Sequence, residues 1–458
     1  MPIATLNPAT GVVEREFAAH SPEEVQARIA SAHRAYLDLT ATDFETRAGW
    51  MHAAADLLEA EADEVAAMIT REMGKTLAQA RAEALKSANA MRFYADHAAE
   101  FLDGRTLDDP SAVNASEAYV RFQPLGVVLA VMPWNYPIWQ VIRFAAPALM
   151  AGNTALLKHA SNVPQAALYL DELFHRGGFP EGAFRSLLIP AAAVEDVLRD
   201  RRVVAVTLTG SEPAGRSVAS IAGSEVKHVV LELGGSDPFV VMPSADLDGA
   251  VAAAVASRTA NNGQACINAK RFIVHAEVHD EFVARFSEAM GALVVGDPTD
   301  ASTQVGPLAT ASGRSDLAEL VDDAVAKGAV ARVGGMAPEG PGWFYPPTVL
   351  TGVGPEMRLY AEEAFGPVAA VYRAEDAHDA LRIANDTTFG LSSAVWTQDP
   401  ADEALFVAGL QAGAVFVNGM SISYPELPFG GVKDSGVGRE LSAEGIREFC
   451  NLKSVWKA

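Results

Sequence analysis

The sequence predicts an α/β protein built on doubly wound parallel sheets, with a small β arm beside them. Three observations carry this. From Gly126 onward, short apolar runs alternate with helical segments: Val127–Met132, 154–157, 186–189, 203–208 and 228–233. Buried strands separated by helices require right-handed crossovers, which produce a parallel sheet covered on both faces. A second α/β region runs from about Asp237 to Asn418, with strands expected over 271–275, 368–372 and 414–417. Finally, 117–123 alternates polar and apolar residues, as a strand with one exposed face does.

The remaining elements follow in chain order. Ser21-Pro22-Glu23-Glu24 reads as a helix start, with Ser21 as N-cap, Pro22 in the first turn and Glu24 closing a capping box. The stretch 42–101 is rich in Ala, Glu, Leu and Arg with few breakers, so it is expected to be helical almost throughout and to serve packing. Within it, Gly74-Lys75-Thr76 resembles the end of a phosphate-binding loop. That motif's first glycine position holds Ile69, inside a helical pattern, so the reading is rejected.

Composition narrows the function. A chain of 458 residues with 50% hydrophobic content fills several cores, about three domains on length alone. The formal net charge of -23 argues against a nucleic-acid partner, because such binding rests on Lys and Arg neutralising phosphates. Two cysteines far apart form no disulfide framework and fit a reducing compartment. With no signal-like start and no apolar run of membrane-spanning length, a cytoplasmic protein without a membrane partner is expected. No grouping suggests a metal site.

Parallel sheets bind ligands outside the carboxyl ends of their strands, and the notable residues follow the apolar runs. Pro133-Trp134-Asn135-Tyr136-Pro137 offers a side-chain N–H donor, though a turn asparagine more often bonds its own backbone. Lys158, followed by His159 and Ser161, puts a cation at a buried strand end, where it needs a partner such as a ribose or phosphate. Gly210 and Ser211 open a helix whose N-terminus could meet a pyrophosphate. Glu232 ends an apolar strand; a carboxyl there is either ion-paired or has the raised pKa that suits a general base. Cys266 sits in Asn261-Asn262-Gly263-Gln264-Ala265-Cys266, among amides instead of aliphatic residues, as a reactive thiol requires, although a bystander thiol fits the local pattern equally well. Glu362-Glu363 precede a turn, and Phe429 stands in the glycine loop Pro428–Lys433.

Taken together, PWNYP, LLKHAS, TGSEPAG, LELGG, NNGQAC, EEAFGPV and PFGGVK resemble the NAD(P)-dependent aldehyde dehydrogenase family across essentially the whole chain. The resemblance implies a Rossmann-type cofactor domain (1–106 and 125–232), a catalytic domain (233–432), and an oligomerisation arm with a C-terminal segment (107–124 and 433–458). It implies Cys266 as nucleophile, Glu232 as general base and Asn135 as donor to the oxyanion. Trp134, Lys158, Ser161, Gly210, Ser211, Glu363 and Phe429 would bind the cofactor. Glu232 favours hydrolysis of the thioester over transfer to coenzyme A. A serine at 161, where NAD-preferring relatives commonly carry glutamate, implies NADP over NAD.

Arg143 and Ser423 match positions where succinate-semialdehyde dehydrogenases hold the substrate's far carboxylate, and a guanidinium suits that ligand. A second arginine of some of these enzymes is here Ala260. The expected reaction is therefore oxidation of succinate semialdehyde with NADP. The alternatives are glutarate semialdehyde, general aliphatic aldehydes, or a catalytically inactive nucleotide-binding protein. Asn268 stands where some relatives have another cysteine, so no local disulfide switch of Cys266 is expected. The resemblance also suggests a homodimer or homotetramer, with 117–123 and 449–456 as pairing segments.

Overall fold

The computed structural model describes residues 2–458. Two large sheets dominate. In the six-stranded sheet the order is Gly436–Val437, His228–Glu232, Val203–Thr209, Val127–Met132, Thr154–His159 and Phe184–Ser186, parallel except for the first pair. The chain builds outward from Val127–Met132 in one direction, then returns and builds in the other. The order therefore reverses between Val127–Met132 and Val203–Thr209, and a crevice opens beyond their carboxyl ends. Its mouth is formed by Pro133-Trp134-Asn135 and Gly210-Ser211.

The seven-stranded sheet runs Val330–Val333, Thr348–Thr351, Val368–Ala374, Ala269–His275, Asp237–Val241, Ala394–Trp396 and Phe416–Val417, with only the first pair antiparallel. Asp237–Val241, absent from the sequence expectation, lies near its middle. Asp and Pro are poor strand residues, and the register shifts at Asp237/Pro238 to accommodate the proline. The expected strand at 186–189 is instead Phe184–Ser186, anchored where Ser186 donates from its hydroxyl to Ala167 and from its N–H to Asp171. The strand expected to end at Leu157 continues through Lys158 and His159, because Met132 of the neighbouring strand still pairs opposite His159.

The stretch 42–101 forms three helices, Phe44–Ala60, Ala62–Met73 and Leu77–Phe101. Gly74 ends the second with φ of 83°, Thr76 caps the third, and Lys75 between them is fully buried against Glu83. That pairing explains the cation without any phosphate. The capping box at Ser21 and Glu24 forms as the residues require.

Segments 117–123 and 449–456 pair with each other inside one chain: Glu117–Pro124 is antiparallel to Cys450–Lys457, with Arg105–Thr106 on its other side. Leu452 and Trp456 stand exposed on this sheet.

Candidate active site

Cys266 sits at the seam of the two large sheets. The segment before it makes three consecutive left-handed residues, Asn261 (φ 57°), Asn262 (φ 56°) and Gly263 (φ 78°). Asparagine tolerates this region better than other side chains, and glycine does so freely. A Cβ at Gly263 would lie 2.3 Å from the Gly366 carbonyl carbon, so the position also demands the absence of a side chain.

The amides around the thiol hold backbone in place. Asn262 donates to the carbonyls of Gly74 (2.9 Å) and Pro307 (3.0 Å) and accepts from Gly306 N–H (2.8 Å). Asn261 donates to the carbonyls of Asn135 (2.8 Å) and Gln264 (2.9 Å), and Asn268 donates to that of Ala260 (2.8 Å). These amides therefore shape the loop instead of solvating a thiolate, as their proximity in sequence had suggested.

Asn135 points at the same place from the first strand's end: its Nδ2 donates to the Gln264 carbonyl at 2.9 Å, which leaves its second N–H free. Cys266 lines two cavities. One, of about 280 Å³, includes Trp134, Asn135, Gly210, Ser211, Glu363 and Phe365. The other, of about 210 Å³, includes Lys86, Trp139, Arg143, Ser423 and Phe429. The thiol thus stands between a crevice at the strand ends and a cationic chamber. Burial pushes the Cys266 thiol up to about 12, against the pull of Arg143 and Lys270.

Glu232 is 2% exposed, and among the described residues neither carboxylate oxygen has a hydrogen-bond partner. Burial first, then the carboxylate of Glu440, raises its pKa well above the ordinary range. A buried carboxyl without a partner favours its protonated form, and it serves as a base only after that proton has left.

The crevice suits a dinucleotide on three counts. Ser211 caps the 13-residue helix Glu212–Ser224 without using its side chain, so its hydroxyl stands unengaged at the crevice, while the Glu212 carboxyl, its pKa raised by burial, occupies the helix start. Lys158, near the carboxyl end of the neighbouring strand and outside the residues lining that cavity, is 8% exposed, its pKa lowered by burial alone, and no acceptor meets it among the described residues. Glu363 is held by Lys270 at 2.8 Å and by Gly235 N–H at 3.3 Å, which fixes a carboxylate at the rim. Ser161 is half-buried on the turn after Lys158, with its carbonyl accepting from Ala4 N–H at 3.0 Å. Trp134 meets Phe365 edge-on at 5.7 Å.

Phe429 lies on the chamber side of Cys266, not among the crevice residues, with the Arg143 guanidinium 4.6 Å above its ring. Arg143 itself, on the helix Trp139–Ala151, is 2% exposed and in ion-pair contact with Glu440, which is also buried. It donates to Thr209 at 3.3 Å as well. Ser423 accepts from Lys86 at 2.9 Å. Sequence reading passed over Lys86, Lys270 and Glu440. Lys270 lies four residues after Cys266, and Lys86 lies in a helix that composition assigned to packing.

Fold, crevice and buried thiol define a class. The chain belongs to the aldehyde dehydrogenase family, whose sequence profile matches residues 1–455. Among named relatives, it is 62% identical over 458 residues to succinate-semialdehyde dehydrogenase [NADP(+)] 1 of Mycobacterium tuberculosis, covering 100% of both chains. It is 63% identical over 457 residues to succinate-semialdehyde dehydrogenase [NADP(+)] of Mycobacterium avium, covering 100% of this chain and 97% of that one. The crystal structure of succinic semialdehyde dehydrogenase from Streptococcus pyogenes in complex with NADP+ matches with a TM-score of 0.96 at 35% identity, covering 99% of each chain.

Proposed function

We propose that this enzyme oxidises succinate semialdehyde to succinate with NADP. The observation that carries the reading is the position of Cys266, which lines both a crevice suited to a dinucleotide and a chamber holding Arg143, Lys86 and Ser423. Relatives of the same length named for that substrate and cofactor support it.

Cys266, once deprotonated, attacks the aldehyde carbon, and the oxyanion of the resulting thiohemiacetal is held by the free N–H of Asn135 and the backbone N–H of Cys266. NADP, when bound in the crevice, supplies the acceptor for the hydride that leaves this carbon. Glu232, once ionised, takes a proton from water as the water oxygen attacks the thioester carbonyl; the C–S bond breaks, succinate departs, and the Cys266 thiolate regains a proton from Glu232. Arg143 and Ser423 sit where the far carboxylate would lie. In the crevice, Lys158 and Ser211 would hold ribose and pyrophosphate, Gly210 and Trp134 would shape the wall, and Glu363 would fix the second ribose. Ser161 leaves room and no negative charge beside the adenosine ribose, which favours a 2′-phosphate. Phe429 would bear on the substrate side of the nicotinamide.

In this reading 1–106 and 125–232 form the cofactor domain, 233–432 the catalytic domain, and 107–124 with 433–458 the arm and C-terminal segment. The exposed edge strand Cys450–Lys457 supports assembly into a homodimer or homotetramer. Among the described residues no helix is long and apolar enough to cross a membrane. A cytoplasmic enzyme accords with its two free cysteines.

The test is initial-rate absorbance of reduced cofactor, with succinate semialdehyde, glutarate semialdehyde and butanal each paired with NADP and NAD. A large kcat/KM advantage for succinate semialdehyde with NADP is expected. Equal rates with butanal would remove the carboxylate selection, and an advantage with NAD would remove the cofactor assignment.

A further inference from the structure

The chamber beside Cys266 contains more positive charge than its neighbours compensate. Two cations line it, Lys86 and Arg143, and a third, Lys75, is buried behind Tyr136. Two carboxylates answer them. Glu83 is committed to Lys75 through one oxygen, while the other accepts the N–H groups of Ile138 (2.8 Å) and Trp139 (3.0 Å) at the start of the helix Trp139–Ala151. Glu440 is committed to Arg143. Glu232 is not among the residues lining the chamber.

Lys86 is the cation left over. Its Nζ donates to Ser423 at 2.9 Å and lies 4.2 Å from the centre of the Trp139 ring, but among the described residues no carboxylate comes within 4.0 Å of it. It also borders a second cavity of about 640 Å³, shared with Gln79, Tyr136 and Asn261, so it stands where one space opens into the other. A half-buried ammonium with one hydroxyl acceptor keeps two N–H donors for a further acceptor.

We propose that Lys86 is a specificity-determining residue that binds the far carboxylate of the substrate, with Ser423 as its partner donor and Arg143 acting chiefly through its pair with Glu440. The proposal rests on the reading of the enzyme as one for an ω-carboxylated aldehyde. It assigns the selecting charge to a residue on the helix Leu77–Phe101, not to the arginine beside the nucleophile. The Ser423 hydroxyl, which accepts from Lys86, keeps its own proton for one carboxylate oxygen while the ammonium meets the other. The Trp139 face fixes the ammonium laterally.

The experiment compares kcat and KM for succinate semialdehyde and butanal in the wild type, Lys86→Met and Lys86→Arg, with NADP saturating. In Lys86→Met, KM for succinate semialdehyde is expected to rise at least about tenfold, as loss of a charge-assisted hydrogen bond predicts, with kcat and the butanal constants within about twofold of wild type. Lys86→Arg should keep most of the preference. A preference unchanged in Lys86→Met overturns the assignment, as does an equal loss in Lys86→Arg and Lys86→Met. A wild type that does not prefer the carboxylated aldehyde overturns both the assignment and the reading beneath it.

If Lys86→Met does not fold, the wild type and Lys86→Arg still decide. The charged groups facing Lys86 are Glu83 on its own helix, Lys75 in the turn before it and Arg143 on the helix Trp139–Ala151; the nucleophile segment adds the Cys266 thiol. Burial first, then Arg143, brings the ammonium down to about 8. KM for succinate semialdehyde should therefore climb as pH rises through about 8 in the wild type, remain flat in Lys86→Arg, and remain flat for butanal in both. A flat wild-type profile overturns the proposal.

Discussion

Asn135 Nδ2 donates to the carbonyl of Gln264, 2.9 Å away and two residues before the nucleophile. One N–H of the amide is thereby spent on orientation, and in the proposed reaction the other meets the oxyanion. Asn135→Ala should lower kcat by about 10²–10³-fold, as removal of one oxyanion donor does. KM should change little. The measurement is steady-state kinetics alongside thermal melting, and a kcat within about threefold of wild type would take Asn135 out of the chemistry.

Arg143 and Glu440 are both buried and paired. Truncating one partner leaves a buried charge, so Arg143→Met should lower unfolding free energy by about 3–5 kcal/mol in urea titration. The double variant Arg143→Met/Glu440→Gln should recover more than half of that loss, because the orphaned carboxylate is gone. Additive losses would mean that the pair carries no coupling.

Cys266 and Cys450 both have thiols pushed up to about 12 by burial in the ligand-free protein. Alkylation by iodoacetamide near pH 7 should be slow and should rise about tenfold per pH unit, since the thiolate is the nucleophile. Cys266→Ser should abolish turnover and remove one of the two labelling events, read by mass spectrometry. Fast labelling of Cys266 at pH 7 without cofactor would contradict the resting protonation state.

Ser161→Glu places a carboxylate beside Lys158, where the adenosine ribose would lie. The ratio of kcat/KM for NADP to that for NAD should fall by at least about tenfold, through repulsion of a 2′-phosphate and new bonds to the ribose hydroxyls. An unchanged ratio would remove Ser161 from cofactor selection.

Asp237 is buried with its Oδ2 unpartnered, and burial pushes it up to about 8 against the pull of Lys270. The folded chain therefore holds a proton that the unfolded chain releases near 3.8. Its contribution to stability is complete below 3.8 and declines as pH rises towards 8. Asp237→Asn mimics the protonated form. Its melting temperature should gain on wild type steadily between pH 5 and pH 8. Parallel melting curves across that range would rule out a shifted Asp237.

The sequence was explicit where residue type and chemistry coincide. Short apolar runs between helical segments marked five of the six strands around the crevice within a few residues, since buried parallel strands must be apolar throughout. The motifs after those runs brought Asn135, Glu232 and Cys266 forward together. Less legible were elements whose local preference runs against their place: Asp237–Val241 begins with two strand-averse residues, and Gly436–Val437 is too short to show a period.

Charge compensation was decided only by the tertiary structure. Arg143, Lys86 and Lys75 are three basic side chains with nothing in their neighbourhoods along the chain to rank them. Folding brings Glu440 to Arg143 and Glu83 to Lys75, from 297 and 8 residues away respectively, and brings Ser423 alone to Lys86. Which cation remains available to a ligand depends on distances between side chains that no spacing encodes, because electrostatic partners are chosen by proximity in three dimensions. The sequence by itself determined the family and the fold and pointed to Cys266; packing decided which charge is free.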